Sequence, residues 1–240
     1  MTVPVKAGPG FNAVLDIMRS EVITFAGDRS GKYTEAPATG DLAEKVKQLH
    51  GQLIEYIAES DDALMNKFFD QGSLSEEEMR AGLHAAIQKQ VFTPLFVTSA
   101  DTNVGVARLM DFISKYGSSP VDRPKAPAKD MDGKDVEVAL TDPDPVLFIF
   151  KTMTEAQFGE LSFFRVYSGT MKFGSEFYNT ERRSNEKIGQ IYILNGKTRT
   201  SVPQLMAGDI GAVVKLKDTQ TGNTLCGGKR QLIIPKVDYP

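Results

Sequence analysis

The chain of 240 residues has one cysteine and two histidines, and each shortage closes off a class of function. A single thiol, Cys226, cannot build an intramolecular disulfide framework, which suits a reducing compartment. It sits in GNTLCGG, where a strand end and an inert buried thiol are expected. His50 and His84 fall inside helical patterns without a Cys or His partner at metal-ligand spacing, so both are expected to be surface or half-buried structural residues. Ser99 lacks the G-x-S-x-G setting of a nucleophile elbow. No apolar run reaches the roughly 18 residues of a bilayer span. PVLFIF (145–150) is only strand-length, and the opening MTVPVKAGPG has no secretory apolar core. The expectation is a cytoplasmic protein with no membrane contact.

What is present is ordinary globular composition, 41% hydrophobic and 25% charged. The net charge of −3 hides an asymmetry, because residues 1–145 carry 15 Lys/Arg against 23 Asp/Glu and residues 146–240 carry 13 against 8. A basic second half favours a polyanionic partner.

The pattern of residues also changes between the halves. FNAVLDIM (11–18) and EVITFA (21–26) read as strands, and Leu42, Val46, Leu49, Leu53, Ile54 and Ile57 recur at helical spacing. Ser75 followed by Glu78 predicts a capping box at the start of a second helix. The acidic clusters Asp61-Asp62 and Glu76-Glu77-Glu78 are expected at helix ends, where charge is solvated or capping. FTPLFVTSA (92–100) reads as a buried strand entering a loop, followed by a helix with Val106, Leu109, Met110 and Ile113 on one face. YGSSPVDRPKAPAKDMDGKD (116–135) reads as a linker. Beyond it, short β-type runs punctuated by Gly and Asn, with no helix among them, predict a closed or nearly closed antiparallel barrel. The expected fold is thus α/β for residues 1–120, a linker over 121–145, and an all-β antiparallel barrel over 146–240.

ITFAGDRSGKYTE (23–35) invites comparison with a phosphate-binding loop. The G-x-x-x-x-G-K-[ST] loop wraps phosphates in backbone N–H groups and holds Mg²⁺ with its hydroxyl. Here three residues rather than four separate Gly27 from Gly31, Tyr33 takes the place of the hydroxyl, and no helix pattern follows. A turn joining two short strands is expected. Among the basic runs, FFRVYSGTMKFG (163–174) suits a hairpin with a tight turn. ERRSNEKIG (181–189) places Arg182, Arg183 and Lys187 in a loop between strands.

FGELSFFRVYSGTMKFG, NEKIGQIY and AGDIGAVVKLKDTQTGNTLC, in this order, resemble the second domain of bacterial elongation factor G, over residues 146–228. PVKAGPGFNAVLDIM resembles the segment after that family's guanine-specificity motif. IEYIAESDDALMNKFFDQGSLSEEEMRAGLHAAI is similar to its helical insertion, and PLFVTSADTNVGVARLMDFI to its last guanine-recognition loop and following helix. The resemblance implies a fragment of a translational GTPase, with Thr98, Ser99 and Ala100 as the remnant of the guanine loop. It implies GTP and Mg²⁺ as cofactors of the parent protein. No cofactor is expected on this piece, which lacks the phosphate loop and N-K-x-D. GTP hydrolysis by the chain alone is therefore not expected.

The resemblance also implies docking of the barrel on small-subunit ribosomal RNA, with Lys172, Arg182, Arg183, Lys187, Lys197 and Arg199 as candidate contacts and the rest of the parent GTPase as a further partner. Arg165, within a strand, is expected either to join them or to form a structural ion pair. A severed sheet would expose an edge through which two copies pair. Two other readings stay open at this point: a sister translational GTPase of the ribosomal-protection or release-factor-three kind, and a non-ribosomal protein-binding barrel. The long helical insertion favours elongation factor G, and KDMDGKDVEVALTDPD (129–144) suggests a divergent member.

Overall fold

Alternating Val, Ile and Phe on either side of a Gly/Asp/Ser cluster form a meander at the start of the chain. A computed structural model describes residues 1–155 and 159–237. The chain divides into two compact units, Met1–Ser118 and Ser119–Pro240. In the first, β1 (Thr2–Pro4), β2 (Ala13–Asp16), β3 (Glu21–Phe25) and β4 (Tyr33–Pro37) pair antiparallel in that order. The 26–32 stretch is the turn between β3 and β4, with Phe25 opposite Tyr33, as its failed phosphate-loop spacing implies.

Four helices follow: α1 (Asp41–Ala58), α2 (Asp62–Gln71), α3 (Glu76–Gln88) and α4 (Val106–Tyr116). Val46, Leu53 and Ile57 of α1 are buried, and Leu53 and Ile57 pack with Leu74, Met79 and Leu83 into one core. Asp61 caps α2 by accepting from the N–H groups of Ala63 (2.9 Å) and Leu64 (3.2 Å). Both histidines are half-buried and turn Nδ1 to a backbone carbonyl, His50 to Ile17 at 2.8 Å and His84 to Tyr116 at 3.3 Å.

The capping box is present: Ser75 N–H donates to Glu78 at 2.9 Å, and Glu78 N–H donates to Ser75 Oγ at 3.3 Å. The Lys67 ammonium and the two Ser75 bonds hold the Glu78 carboxyl down from 4.5 to about 2. A depressed folded pKa means a contribution present above pH 4.5 and lost as pH falls through about 2. A carboxyl NMR titration is expected to place the Glu78 midpoint near 2. Glu78→Gln is expected to flatten the acid dependence of the thermal midpoint over that window. A midpoint at the ordinary Glu value would refute the cap.

Two expectations in this unit are corrected. Residues 92–98 form no strand: the Leu95 carbonyl accepts from the Met1 amino group at 2.9 Å and from Thr2 N–H at 3.3 Å without a ladder following, Pro94 interrupts, and Leu95 is exposed. Helix α4 does not bury the face first read. Met110 and Ile113 are more than half exposed, whereas Phe112 is buried between Phe96 and Tyr116, with ring centroids 4.8 Å away on each side. Arg108 lies one turn before Phe112, and its ion pair with Asp16 turns that face inward.

The second unit opens with a short 3₁₀ turn (Pro120–Asp122) and is otherwise built of strands among its described residues. These are β5 (Lys125–Asp130), β6 (Asp135–Ala139), β7 (Val146–Glu155), β8 (Gly159–Ser168), β9 (Thr170–Lys172), β10 (Glu176–Asn179) and β11 (Ser184–Lys187). They continue with β12 (Ile191–Asn195), β13 (Thr198–Val202), β14 (Gln204–Met206), β15 (Ile210–Val214), β16 (Thr224–Cys226) and β17 (Leu232–Ile233). The main antiparallel sheet runs β11-β10-β16-β7-β8-β15-β12-β13. Phe177 of β10 and Ile191 of β12 stand far apart in that order, yet both join the core of Leu147, Ile149, Phe164 and Val166. A flat sheet would keep them apart, so the sheet curls round its apolar face, as a barrel does.

The segment read as a linker is not one. Lys125–Asp130 and Asp135–Ala139 form a hairpin that β17 extends into a three-stranded sheet. Ala128, Val138 and Leu232 of this small sheet pack on Val146, Phe148 and Cys226, on the side of the main sheet away from its core. The unbroken burial of Val146 to Ile149 follows from this, because β7 is covered on both faces. FFRVYSGTMKFG is not a hairpin either. Gly169, at φ 63°, turns β9 away to pair with β14, and a Cβ there would lie 2.6 Å from the Pro143 carbonyl and the Pro145 nitrogen.

Candidate functional site

The residues expected to read guanine form a tight, internally bonded loop. Ser99 and Val104 exchange backbone bonds at 2.9 and 3.0 Å, and Thr102 Oγ1 donates to Ser99 Oγ at 2.7 Å. Val104 is fully buried against Val14, Ile23 and Phe25, which fixes the base of the loop, while Thr98 and Ala100 are exposed. Gly105, at φ 74°, starts α4 where a Cβ would lie 2.6 Å from the Val97 carbonyl. The loop also meets the β3–β4 turn: Asn103 Nδ2 donates to the Arg29 carbonyl at 3.3 Å, and Arg29 Nη2 pairs with Asp101 at 3.3 Å. The two stretches singled out for nucleotide chemistry are therefore neighbours. The β3–β4 turn serves as a brace, with Asp28 Oδ1 accepting from Ser30 N–H at 2.9 Å.

Ala100 is exposed and its carbonyl accepts from the Asn103 N–H at 3.3 Å; no group of three or more His, Cys, Asp or Glu suited to a metal occurs among the described residues.

A cavity of about 480 Å³ lies beside α4 and is lined by Asp16, Arg19, Glu21, His50, Arg108 and Tyr116, among others. Its wall holds the Arg108–Asp16 pair, with Nε to Oδ2 at 3.1 Å and the other Asp16 oxygen taking the N–H groups of Met18 and Arg19.

In the second unit the candidate RNA contacts fall into separate groups. Arg182 and Arg183 are exposed on the β10–β11 connection; Lys187, read as a loop residue, lies within β11 and is exposed. Lys197 is exposed at the β12–β13 turn, and Arg199 is half-buried on β13, at the opposite end of the strand order. Lys172 is exposed on β9 opposite Gln204. Arg165 makes no ion pair among the described residues; its guanidinium lies 5.1 Å from the Tyr167 ring centre.

A buried polar network that sequence reasoning missed anchors the Arg182 group. Glu186, 1% exposed, accepts from Lys217 N–H (2.9 Å), Asp218 N–H (2.8 Å) and Thr219 Oγ1 (2.8 Å). Asn179 Nδ2 donates to Thr219 Oγ1 (3.0 Å) and Asn223 Oδ1 (3.2 Å), and Arg182 N–H donates to Asn179 Oδ1 (3.1 Å). Gln220 Oε1 accepts from the Arg182 guanidinium, which also lies 3.8 Å from Asp218. The one available signal was Glu186 at an inward position of the alternating strand SNEK. Cys226 is buried at the end of β16, and desolvation pushes its thiol pKa up, consistent with an inert core residue.

A curled antiparallel sheet with a smaller sheet on its back, joined in one chain to an α/β unit, defines a two-module protein with a β-barrel. Residues 145–228 match the family described as Elongation factor G domain 2, and this matched stretch is most of the barrel. The fold of the whole chain is similar to that of a solved structure from Thermus thermophilus. The TM-score is 0.77 at 20% identity, and the match covers 96% of this chain and 32% of that one. At that identity the likeness is one of fold, and the chain spans about a third of that protein's length. No helix among the described residues is long and apolar enough to cross a membrane.

Proposed function

We propose that the chain is part of a cytoplasmic translational GTPase of the elongation factor G kind, which promotes tRNA and mRNA translocation, and that its barrel docks on small-subunit ribosomal RNA. The observation that carries this reading is the match of residues 145–228 to the second domain of that factor. The braced Ser99–Val104 loop supports it, since Thr98 and Ala100 stand exposed at the position the resemblance assigns to the guanine edge. The rest of the parent protein then supplies the phosphate loop, Mg²⁺ and the catalytic step.

In this reading the barrel contacts RNA phosphate and sugar, which position without reading sequence. Five of the six candidate cations, Lys172, Arg182, Arg183, Lys187 and Lys197, are exposed enough for that task. Co-sedimentation with purified small subunits is the test. With about four phosphates engaged, affinity is expected to fall roughly fifty-fold between 50 and 200 mM salt. Binding that ignores salt, or no binding at low salt, overturns the proposal.

A further inference from the structure

Strand β8 shows two faces of different chemistry. Phe164, Val166 and Ser168 are buried towards the main core, while Phe163, Arg165 and Tyr167 alternate with them on the other face. The β5–β6 hairpin covers part of that outer face through Ala128 and Val138. Where the cover ends, a cavity of about 260 Å³ remains, lined by Arg123, Lys125, Pro127, Leu140, Arg165 and Tyr167, among others. Three cations line it and no carboxylate does.

The cations differ in how firmly they are held. Arg165 lies over the Tyr167 ring, and Tyr167 meets Phe148 edge-on at 6.5 Å, so the aromatic base of the stack is locked by the core beneath it. Arg123 makes no ion pair among the described residues and is exposed. Lys125 reaches Glu137 at 2.8 Å, but both side chains are 62% exposed, where such a pair contributes little and screens easily. Glu137 raises the Lys125 pKa, which keeps the ammonium charged. The nearby Asp142 is taken up by Arg230 at 3.1 Å and by the Ala139 N–H at 2.9 Å.

We propose that this groove takes one nucleotide of single-stranded RNA, its phosphodiester on Arg123 and Lys125 and its base against the Arg165–Tyr167 stack. A guanidinium lying on an aromatic ring offers its other face to a planar base, and stacking of this kind tolerates any sequence. The volume is below the about 300 Å³ at which drug-sized pockets begin, which suits one nucleotide of a strand rather than a free ligand. Choosing RNA over another polyanion rests on the ribosome-docking reading above.

The test is fluorescence anisotropy of the full chain with a labelled ten-residue oligouridylate at low salt. Arg123→Ala and the charge-conserving Arg165→Lys are each expected to weaken binding about tenfold, with circular dichroism and thermal midpoints unchanged. Lys47→Gln, exposed on α1 of the first unit and outside the groove, is expected to leave it unaltered. If the first two variants bind oligouridylate like the parent chain, the groove proposal is overturned, even where ribosome co-sedimentation holds. If oligouridylate binding depends on Arg123 and Arg165 while co-sedimentation fails, the groove stands and the ribosome reading falls. Displacement of the RNA by a polyglutamate peptide at equal concentration overturns it in favour of an acidic protein partner.

Discussion

Replacing Arg108 by alanine is expected to lower the stability of the first unit by about 3 kcal/mol, the lower end of the range for breaking a buried ion pair. Asp16 and Arg108 are 5% and 10% exposed, so truncating the arginine leaves a desolvated carboxylate without its counter-charge. The adjoining cavity of about 480 Å³ can admit water to that carboxylate, which keeps the cost from rising further. In a melt this corresponds to a fall of about 10 °C. Adding Asp16→Asn is expected to restore about half of the loss. The amide oxygen still accepts from the N–H groups of Met18 (3.0 Å) and Arg19 (3.1 Å), while the unpaired charge is gone. A double variant no more stable than Arg108→Ala would show that packing of the arginine stem, not its charge, carries the effect.

The same pair explains what periodicity could and could not reveal. Helix α1 was legible because Val46, Leu53 and Ile57 are apolar at helical spacing and nothing competes for that face. Helix α4 was legible as a helix, but its buried face was not, because a charged residue holds it inward and counting apolar residues puts the core on the wrong side. Strand positions in the barrel followed from short β-branched runs between Gly and Asn. The hairpin over its back did not, since Pro, Asp and Gly at 124–133 carry the composition of a linker. VLFIF held the clue to it: a strand apolar on both faces requires a cover on each. The residues proposed for the guanine loop, Thr98, Ser99 and Ala100, were chosen from a sequential motif. The groove beneath the hairpin was invisible to such reasoning, because Arg123, Lys125, Arg165 and Tyr167 come together only through pairing across the fold. Assigning the hairpin to the second unit also softens the charge contrast: residues 119–240 carry 17 Lys/Arg and 15 Asp/Glu, so the basic character is local to the groove and the barrel edges.

Glu186→Ala is expected to cost the second unit about 3 kcal/mol, because one buried carboxylate satisfies three donors and their bonds do not add independently. Glu186→Gln separates the possible causes. It keeps the volume but turns an NH₂ group towards a donor, so it is expected to lose most of the same stability, whereas a residue that merely fills space would tolerate the swap. Amide exchange at Lys217 and Asp218 is expected to accelerate in both variants, ahead of the core amides of Leu147 and Ile149. The effect extends to function through Arg182, whose guanidinium is held by Gln220 and Asp218 on the very segment that Glu186 ties down. If Arg182 is a ribosomal contact, both variants weaken small-subunit binding at temperatures where the barrel core is still folded. Arg182→Lys, which cannot keep the planar hydrogen-bonding geometry, then weakens binding without lowering the melting temperature. A Glu186→Gln chain that melts within about 2 °C of the parent and keeps its Lys217 and Asp218 amides protected would show that this network is not what holds the loop in place.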